Sequence, residues 1–263
     1  MPTDRSYTTQ LQAGLGMIDE TIGLLRLWER GDSPSRLSEK AIQSGLFSRT
    51  TARRARNIVE EMFAPRYLVQ QGQPAAALKS LVERNLPGDD LSQLFFLHTA
   101  RAQAIFGDFV TEVYWPRYSA AAVCLTRAEA ETFVYRALDT GRMQKRWTET
   151  TIRRVSGYLL GCCGDFGLTD SGGRGERVIR RFALRPRVAL YLAHELHFSG
   201  ATDQALTQHS DWRLFGLEPH EVVLQLKSLA HDGHLIIQAA ANLVQIAWKY
   251  PTMEDCVRAI AQR

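Results

Sequence analysis

Histidine and cysteine are where catalytic or metal chemistry would begin, and the chain has seven of the first and four of the second. His194-Glu195-Leu196-His197 is one residue short of the HExxH zinc-protease signature. On a helix, imidazoles at i and i+3 can meet one metal ion, but no third ligand can be identified. His231-Asp232-Gly233-His234 falls at a helix end, where capping accounts for it. Cys124, Cys162, Cys163 and Cys256 show no CxxC spacing, and the adjacent pair lies in an apolar helical pattern. They read as buried, reduced thiols of a cytoplasmic protein. There is no Gly-x-Ser-x-Gly elbow, dinucleotide fingerprint or kinase motif set. Gly172-Gly173-Arg174-Gly175 lacks the spacing and the Lys-Ser/Thr of a phosphate-binding loop. Glu60-Glu61 and Asp89-Asp90 read as solvated surface. The expectation is a protein that is not an enzyme and uses neither cofactor nor metal.

Arginine is the residue type whose placement carries chemistry. Net charge is only +4 over 263 residues. Between Gly141 and Arg187, however, eleven Lys or Arg stand against four acids, so that segment is +7 and the remainder −3. Ten of the eleven are Arg, whose planar guanidinium suits bidentate phosphate contacts. A basic stripe on an otherwise balanced protein points to a polyanion. Arg49, Arg53 and Arg56 form a second group, spaced i, i+4 and i+7. The candidate DNA-binding residues are therefore Arg49, Arg53, Arg56, Arg142, Lys145, Arg146, Arg153, Arg154, Arg180 and Arg181. On an ideal helix Arg142, Arg146 and Arg153 would share a face.

The elements that must position these residues are mostly helical. Leu11, Leu15, Ile18, Ile22, Leu25 and Trp28 recur at steps of three or four. Gly31 ends that helix, and Ser33-Pro34 suits an N-cap and first helical position. A short helix to Gln43 and a turn at Gly45-Leu46-Phe47 lead to a third helix, capped by Ser48 and running to about Phe63. Residues 34–64 thus have the outline of a helix-turn-helix, with an Arg face outward and Ala55, Ile58, Val59 and Met62 inward. The bland alternative is a solvated face on an ordinary helical hairpin. Helices continue from Pro74 to Cys163, with the aromatic stripe as core. One ends at Trp115-Pro116, one opens with the capping box Thr126-Arg127-Ala128-Glu129, and the last opens at Thr148 or Thr150.

Glycine-rich 164–175 is expected to be a linker between a helical domain, 1–165, and a C-terminal module, 176–263. In that module Val178 and Ile179 suggest a short strand. Helices follow over Pro186–Phe198, Thr202–Gln208 and Glu218–Ala230. Leu235-Ile236-Ile237 and Leu243 to Trp248 read as a β-hairpin closed by a helix from Thr252 to Ala261. Helices followed by such a hairpin predict a winged-helix-like α+β module on a mainly α protein. The hairpin has no Lys or Arg at its tip, so a small module without a nucleic-acid role is the competing reading.

Several runs resemble the BrxA family: Tyr7-Thr8-Thr9-Gln10-Leu11-x-x-Gly14, Glu20-Thr21, Leu24-Leu25-x-Leu27-Trp28, Gly45-Leu46-Phe47-Ser48-Arg49-x-Thr51-Ala52 and Arg66-Tyr67-Leu68. So do Trp212-x-Leu214-Phe215-Gly216-Leu217 and Trp248-x-Tyr250-x-x-Met253-Glu254. The resemblance implies a small helical DNA-binding component of a BREX bacteriophage-defence system, acting beside a methyltransferase, an ATPase and other defence proteins. It brings no catalytic motif with it.

Composition is that of an ordinary globular protein, 45% hydrophobic and 23% charged. No apolar run reaches membrane-spanning length, and the polar first ten residues lack the apolar core of a signal peptide. The expected partner is double-stranded DNA, with other BREX proteins as further partners and no membrane. A protein–protein adaptor and an RNA-binding helical protein are the alternatives.

Overall fold

In this computed structural model, the described residues are 6–13, 15–143, 145–172, 176–240 and 243–262. The chain is mainly helical, with a few short antiparallel strands. It divides into two compact units, each built from two separate stretches. Unit 1 comprises residues 1–75 and 95–182, and unit 2 comprises 76–94 and 183–263. The division therefore falls after Phe182 and not within 164–175.

Unit 1 starts with α1 (Ile18–Leu27), α2 (Pro34–Gln43) and α3 (Ala52–Asn57). Ser33 caps α2 as its residue type predicts, accepting from the Arg36 N–H at 3.2 Å. The expected cap at Ser48 is not used. Thr51 caps α3 instead, accepting from the Arg54 N–H at 3.2 Å. Gly45, at φ +73°, reverses the chain after α2, and the buried Phe47 anchors the intervening segment. The connection is longer than the three or four residues usual in a helix-turn-helix.

Two prolines, Pro65 and Pro116, sit inside helical stretches, and at the second the helix was expected to end. A π-helical stretch, Ile58–Phe63, links α3 to α4 (Ala64–Tyr67), which contains Pro65. Further on, α5 (Gln73–Glu83), α6 (Gly88–Ala102) and α7 (Ala104–Phe109) are followed by a second π stretch, Val110–Tyr114. That stretch runs into α8 (Trp115–Ser119), which contains Pro116. An interior proline lacks an N–H and drives its ring against the carbonyl four residues back. In both places the N–H just before the proline reaches five residues back, Ala64 to Val59 and Trp115 to Val110. The widened turn accommodates the ring, so Trp115-Pro116 continues the helix instead of ending it.

The short strand β1 (Cys124–Leu125) precedes α9 (Arg127–Asp139), whose Thr126–Glu129 capping box is present as spaced in the sequence. Thr148 caps α10 (Glu149–Asp165). Strands β2 (Thr169–Ser171) and β3 (Arg177–Ile179) pair antiparallel, with Asp170 opposite Val178, and β1 adds to β3 with Cys124 opposite Val178. The sheet order is β1-β3-β2, all within unit 1. Residues 164–175 thus include the end of α10 and all of β2, and residues 173–175 lie outside the described set. Phe96, Phe106, Phe166 and Phe182 pack ring against ring with centroids 5.8–6.0 Å apart, confirming the aromatic stripe as core.

Unit 2 holds α11 (Pro186–Phe198), α12 (Asp203–Thr207), α13 (Asp211–Leu214) and α14 (Pro219–His231). A two-stranded antiparallel sheet of β4 (Leu235–Ala240) and β5 (Leu243–Trp248) follows, and α15 (Met253–Ala261) comes last. Ladder pairs run from Leu235–Trp248 to Ala240–Leu243. The Gln93 amide clasps the lead-in to α11, donating to the Ala183 carbonyl at 2.8 Å and accepting from the Arg185 N–H at 3.0 Å. Asp90, expected on the surface, is 1% exposed. It bonds Arg185 Nε at 2.5 Å and Arg187 Nη1 at 3.0 Å. The two arginines arrive from a stretch of chain remote in sequence, which is why local pattern misplaces Asp90.

Candidate nucleic-acid interface

The arginines of the sequence separate into those already matched by acids and those that are not. Arg142 belongs to the first group. Its Nη1 lies 2.6 Å from Glu112 Oε1, 3.5 Å from Asp108 Oδ2 and 2.9 Å from the Tyr7 hydroxyl. Hydrogen bonding to Glu112 and then Tyr7 raises its pKa further. Tyr7 in turn donates to Asp108, and its N–H meets the Arg142 carbonyl at 2.7 Å. Burial, then the hydrogen bond to Asp108, raises the Tyr7 pKa. This is a brace for the N-terminal segment. The expected shared helical face of Arg142, Arg146 and Arg153 does not form, because α10 begins only at Glu149.

Arg180 sits 3.5 Å from Asp170, while Arg185 and Arg187 are held by Asp89 and Asp90. The strongly basic segment 141–187 is therefore reduced to five exposed cations without an ion pair among the described residues: Lys145, Arg146, Arg153, Arg154 and Arg181.

The second group is N-terminal. Arg49, Arg53 and Arg56 are exposed and make no ion pair among the described residues. Arg49 stands in the turn before α3, so only Arg53 and Arg56 occupy a helix face together. Arg54 joins them, equally exposed and unpaired. Neighbouring α2 shows the contrast: Lys40 bonds Glu29 at 2.7 Å and Asp32 at 2.8 Å, and Arg36 lies 3.2 Å from Asp32. The hydrogen bonds to Asp32 and Glu29 raise the Lys40 pKa.

Charge also divides by unit. Unit 1 carries 23 Lys or Arg against 17 Asp or Glu, a net +6, and unit 2 carries nine against eleven, a net −2. The exposed positions of α14 include His220, Leu224 and Lys227, and no charged residue lies in β4 or β5.

Two of the histidines and two of the thiols are taken up by the interior. His194 Nδ1 bonds the Leu190 carbonyl at 3.0 Å, and its ring packs edge-on to Trp248 at 4.7 Å. Burial pushes its pKa down to about 4. His234 Nδ1 meets the Tyr250 hydroxyl at 2.8 Å. Cys162 and Cys163 are fully buried, and burial pushes the Cys162 thiol up to about 12. Among the described residues, no group of three or more His, Cys, Asp or Glu is placed to hold a metal ion. No helix among them is long and apolar enough to cross a membrane.

These features define a mainly helical protein of two units, with its surplus of positive charge gathered on one. A family model described as BrxA matches residues 5–195, and the chain belongs to the BrxA family. Membership implies a role in BREX phage defence. A crystal structure of an uncharacterized protein from Magnetospirillum magneticum is similar in fold. Its TM-score is 0.61 at 14% identity, covering 80% of this chain and 97% of that one. No curated protein matches. Of the residues that carried the resemblance, Arg66 and Tyr67 are fully buried. Arg66 donates to the Leu15 carbonyl at 2.9 Å, and burial lowers its pKa. These two serve the core and not the surface.

Proposed function

We propose that this protein is a non-catalytic double-stranded DNA-binding component of a BREX system, acting in the cytoplasm and contacting mainly phosphates through unit 1. The observation that carries this reading is the group Arg49, Arg53, Arg54 and Arg56, exposed and free of ion pairs among the described residues. Guanidinium groups that no internal carboxylate neutralises are available to phosphate oxygens. Lys145, Arg146, Arg153, Arg154 and Arg181 form the second set of available cations. Residues 34–64 act as a helix-turn-helix-like element with a lengthened turn. The order of four helices, α11 to α14, then hairpin and helix in unit 2 fits a winged-helix-like module, but its charge-free hairpin and net −2 argue against unit 2 as the principal DNA surface. That same surface favours a second role, docking of other BREX proteins.

Fluorescence anisotropy with an unrelated duplex of about 30 base pairs tests the reading. Wild type should bind in a salt-dependent manner, and Arg53→Glu/Arg54→Glu should lose binding while keeping its thermal midpoint. Absence of binding at low salt would transfer the function to protein docking. Preference for structured RNA in competition would make the protein an RNA binder.

A further inference from the structure

Lys145 and Arg146 stand between α9, which ends at Asp139, and α10, which begins at Glu149. No helix fixes their place, and no acid pairs with them among the described residues. Just before them, at Arg142, the chain gathers four side chains around one another. The Arg142 guanidinium meets Glu112 Oε1 at 2.6 Å, Asp108 Oδ2 at 3.5 Å and the Tyr7 hydroxyl at 2.9 Å. That hydroxyl donates to Asp108 at 2.5 Å. The backbone repeats the attachment: Tyr7 donates its N–H to the Arg142 carbonyl at 2.7 Å and forms a parallel bridge with Met143.

Each member of this network is itself held. Asp108 belongs to α7 and Glu112 to the π stretch that continues it. The Tyr7 ring is 4% exposed and packs on Phe133 of α9 at 6.2 Å, and Phe133 packs in turn on Phe109 of α7 at 5.4 Å. Gly141, at φ +71°, turns the chain out of α9, and the Arg142 N–H reaches back to the Ala137 carbonyl at 3.0 Å. Thr148, the cap of α10, fixes the far end of the connection. Lys145 and Arg146 therefore lie on a short tether between two anchored points.

Stability alone does not account for the anchor at Arg142. Its side chain is 40% exposed, that of Asp108 44% and that of Glu112 32%. Ion pairs so open to water contribute little to folding, yet two carboxylates surround this arginine and neither serves Lys145 or Arg146. Binding gives a different account. A cation on a loose connection surrenders chain and side-chain freedom when it meets a phosphate, and one already placed surrenders less.

We infer that Tyr7, Asp108, Glu112 and Arg142 are positioning residues for nucleic-acid binding, pinning the connection between α9 and α10 so that Lys145 and Arg146 are presented to phosphates in a fixed arrangement. This role rests on the DNA-binding reading of unit 1 and adds to it what sets the geometry of the second group of cations.

A double-mutant cycle on the full chain, read by anisotropy with the same unrelated duplex, tests the role. Tyr7→Phe keeps the ring and the net charge and removes the hydroxyl that joins Asp108 to Arg142. It should weaken binding about fivefold or more and make the salt slope shallower by about 0.9 or more, the share of one phosphate contact. The circular dichroism spectrum should stay unchanged. In a Lys145→Gln/Arg146→Gln background the same substitution should alter neither affinity nor slope, because the groups it positions are gone. Equal effects of Tyr7→Phe in both backgrounds would make the network a structural support only and overturn the inference. So would a Tyr7→Phe protein that binds as wild type does. A wild type that binds no duplex at low salt would overturn the DNA-binding reading and this role together, whereas a binding wild type without coupling overturns the positioning role alone.

Discussion

The number of cations that meet DNA can be read from salt dependence, and the structure gives two distinct values for it. Each phosphate contact contributes roughly −0.9 to the slope of log K against log salt on duplex DNA. If the α3 group alone binds, Arg49, Arg53, Arg54 and Arg56 give four contacts and a slope of about −3.6. Affinity then falls roughly 150-fold between about 50 and 200 mM salt. If Lys145, Arg146, Arg153, Arg154 and Arg181 engage the same duplex, the count rises to nine, the slope becomes about −8 and the fall is roughly 75,000-fold. The discriminating perturbation is Arg53→Gln/Arg54→Gln, which removes charge without reversing it. The slope should become shallower by about 1.8 in either case. Anisotropy titrations at five or more salt concentrations measure it directly. A slope near zero, or one that the double variant leaves unchanged, would refute the assignment of this surface.

Three further outcomes follow from buried groups. His194 has its pKa lowered from 6.5 to about 4 by burial, so the folded state holds it neutral where the unfolded chain takes up a proton. Its contribution is fully present above pH 6.5 and is lost as pH falls toward 4, in total about 3 kcal/mol. Urea unfolding across this range should show the decline, and His194→Phe should flatten it; identical pH profiles would sink the claim. Asp90→Ala should destabilise unit 2 by roughly 3 kcal/mol, at the low end for a buried ion pair because Arg185 and Arg187 regain water. A denaturant midpoint within error of wild type would contradict that. Gly72 has φ +77°, and an added Cβ would stand 2.7 Å from Trp28 Cζ2. Gly72→Ala should therefore cost about 2 kcal/mol or more, and an unchanged melting temperature would show that Trp28 yields freely.

Where local chemistry decided local structure, the sequence was legible. Ser33-Pro34, Thr126 with Glu129 and Thr148 all start helices where their side chains can reach an N–H three residues on. The hairpin was legible because two β-prone runs flank a short connection. What failed depended on groups far apart in the chain. Arg142 looked available until Glu112 and Asp108 came beside it, and Asp90 looked solvated until Arg185 and Arg187 closed over it. Pro116 was a helix stop by rule, but a π turn ahead of it can absorb the ring. The glycine-rich stretch 164–175 lies inside unit 1, because a boundary between units made of interleaved stretches leaves no single composition break. Arg54 lies about 100° around the helix from Arg53, off the face the spacing picks out, and only its exposure adds it to the group.

The contrast between α2 and α3 weighs most in the DNA reading, because both are short basic helices in one unit. On α2 the chain supplies Glu29 and Asp32 for Lys40 and Arg36, removing their charge from the surface. On α3, Arg53 and Arg56 are one turn apart, Arg54 is adjacent, and no described acid pairs with them. Like charges at that spacing cost a helix a few tenths of a kcal/mol per pair. The arrangement therefore works slightly against folding, in a chain that neutralises comparable cations elsewhere. A polyanionic partner reverses the sign: it neutralises the cluster on binding, and the counterions its phosphates release add to affinity. A helix selected for stability alone would resemble α2.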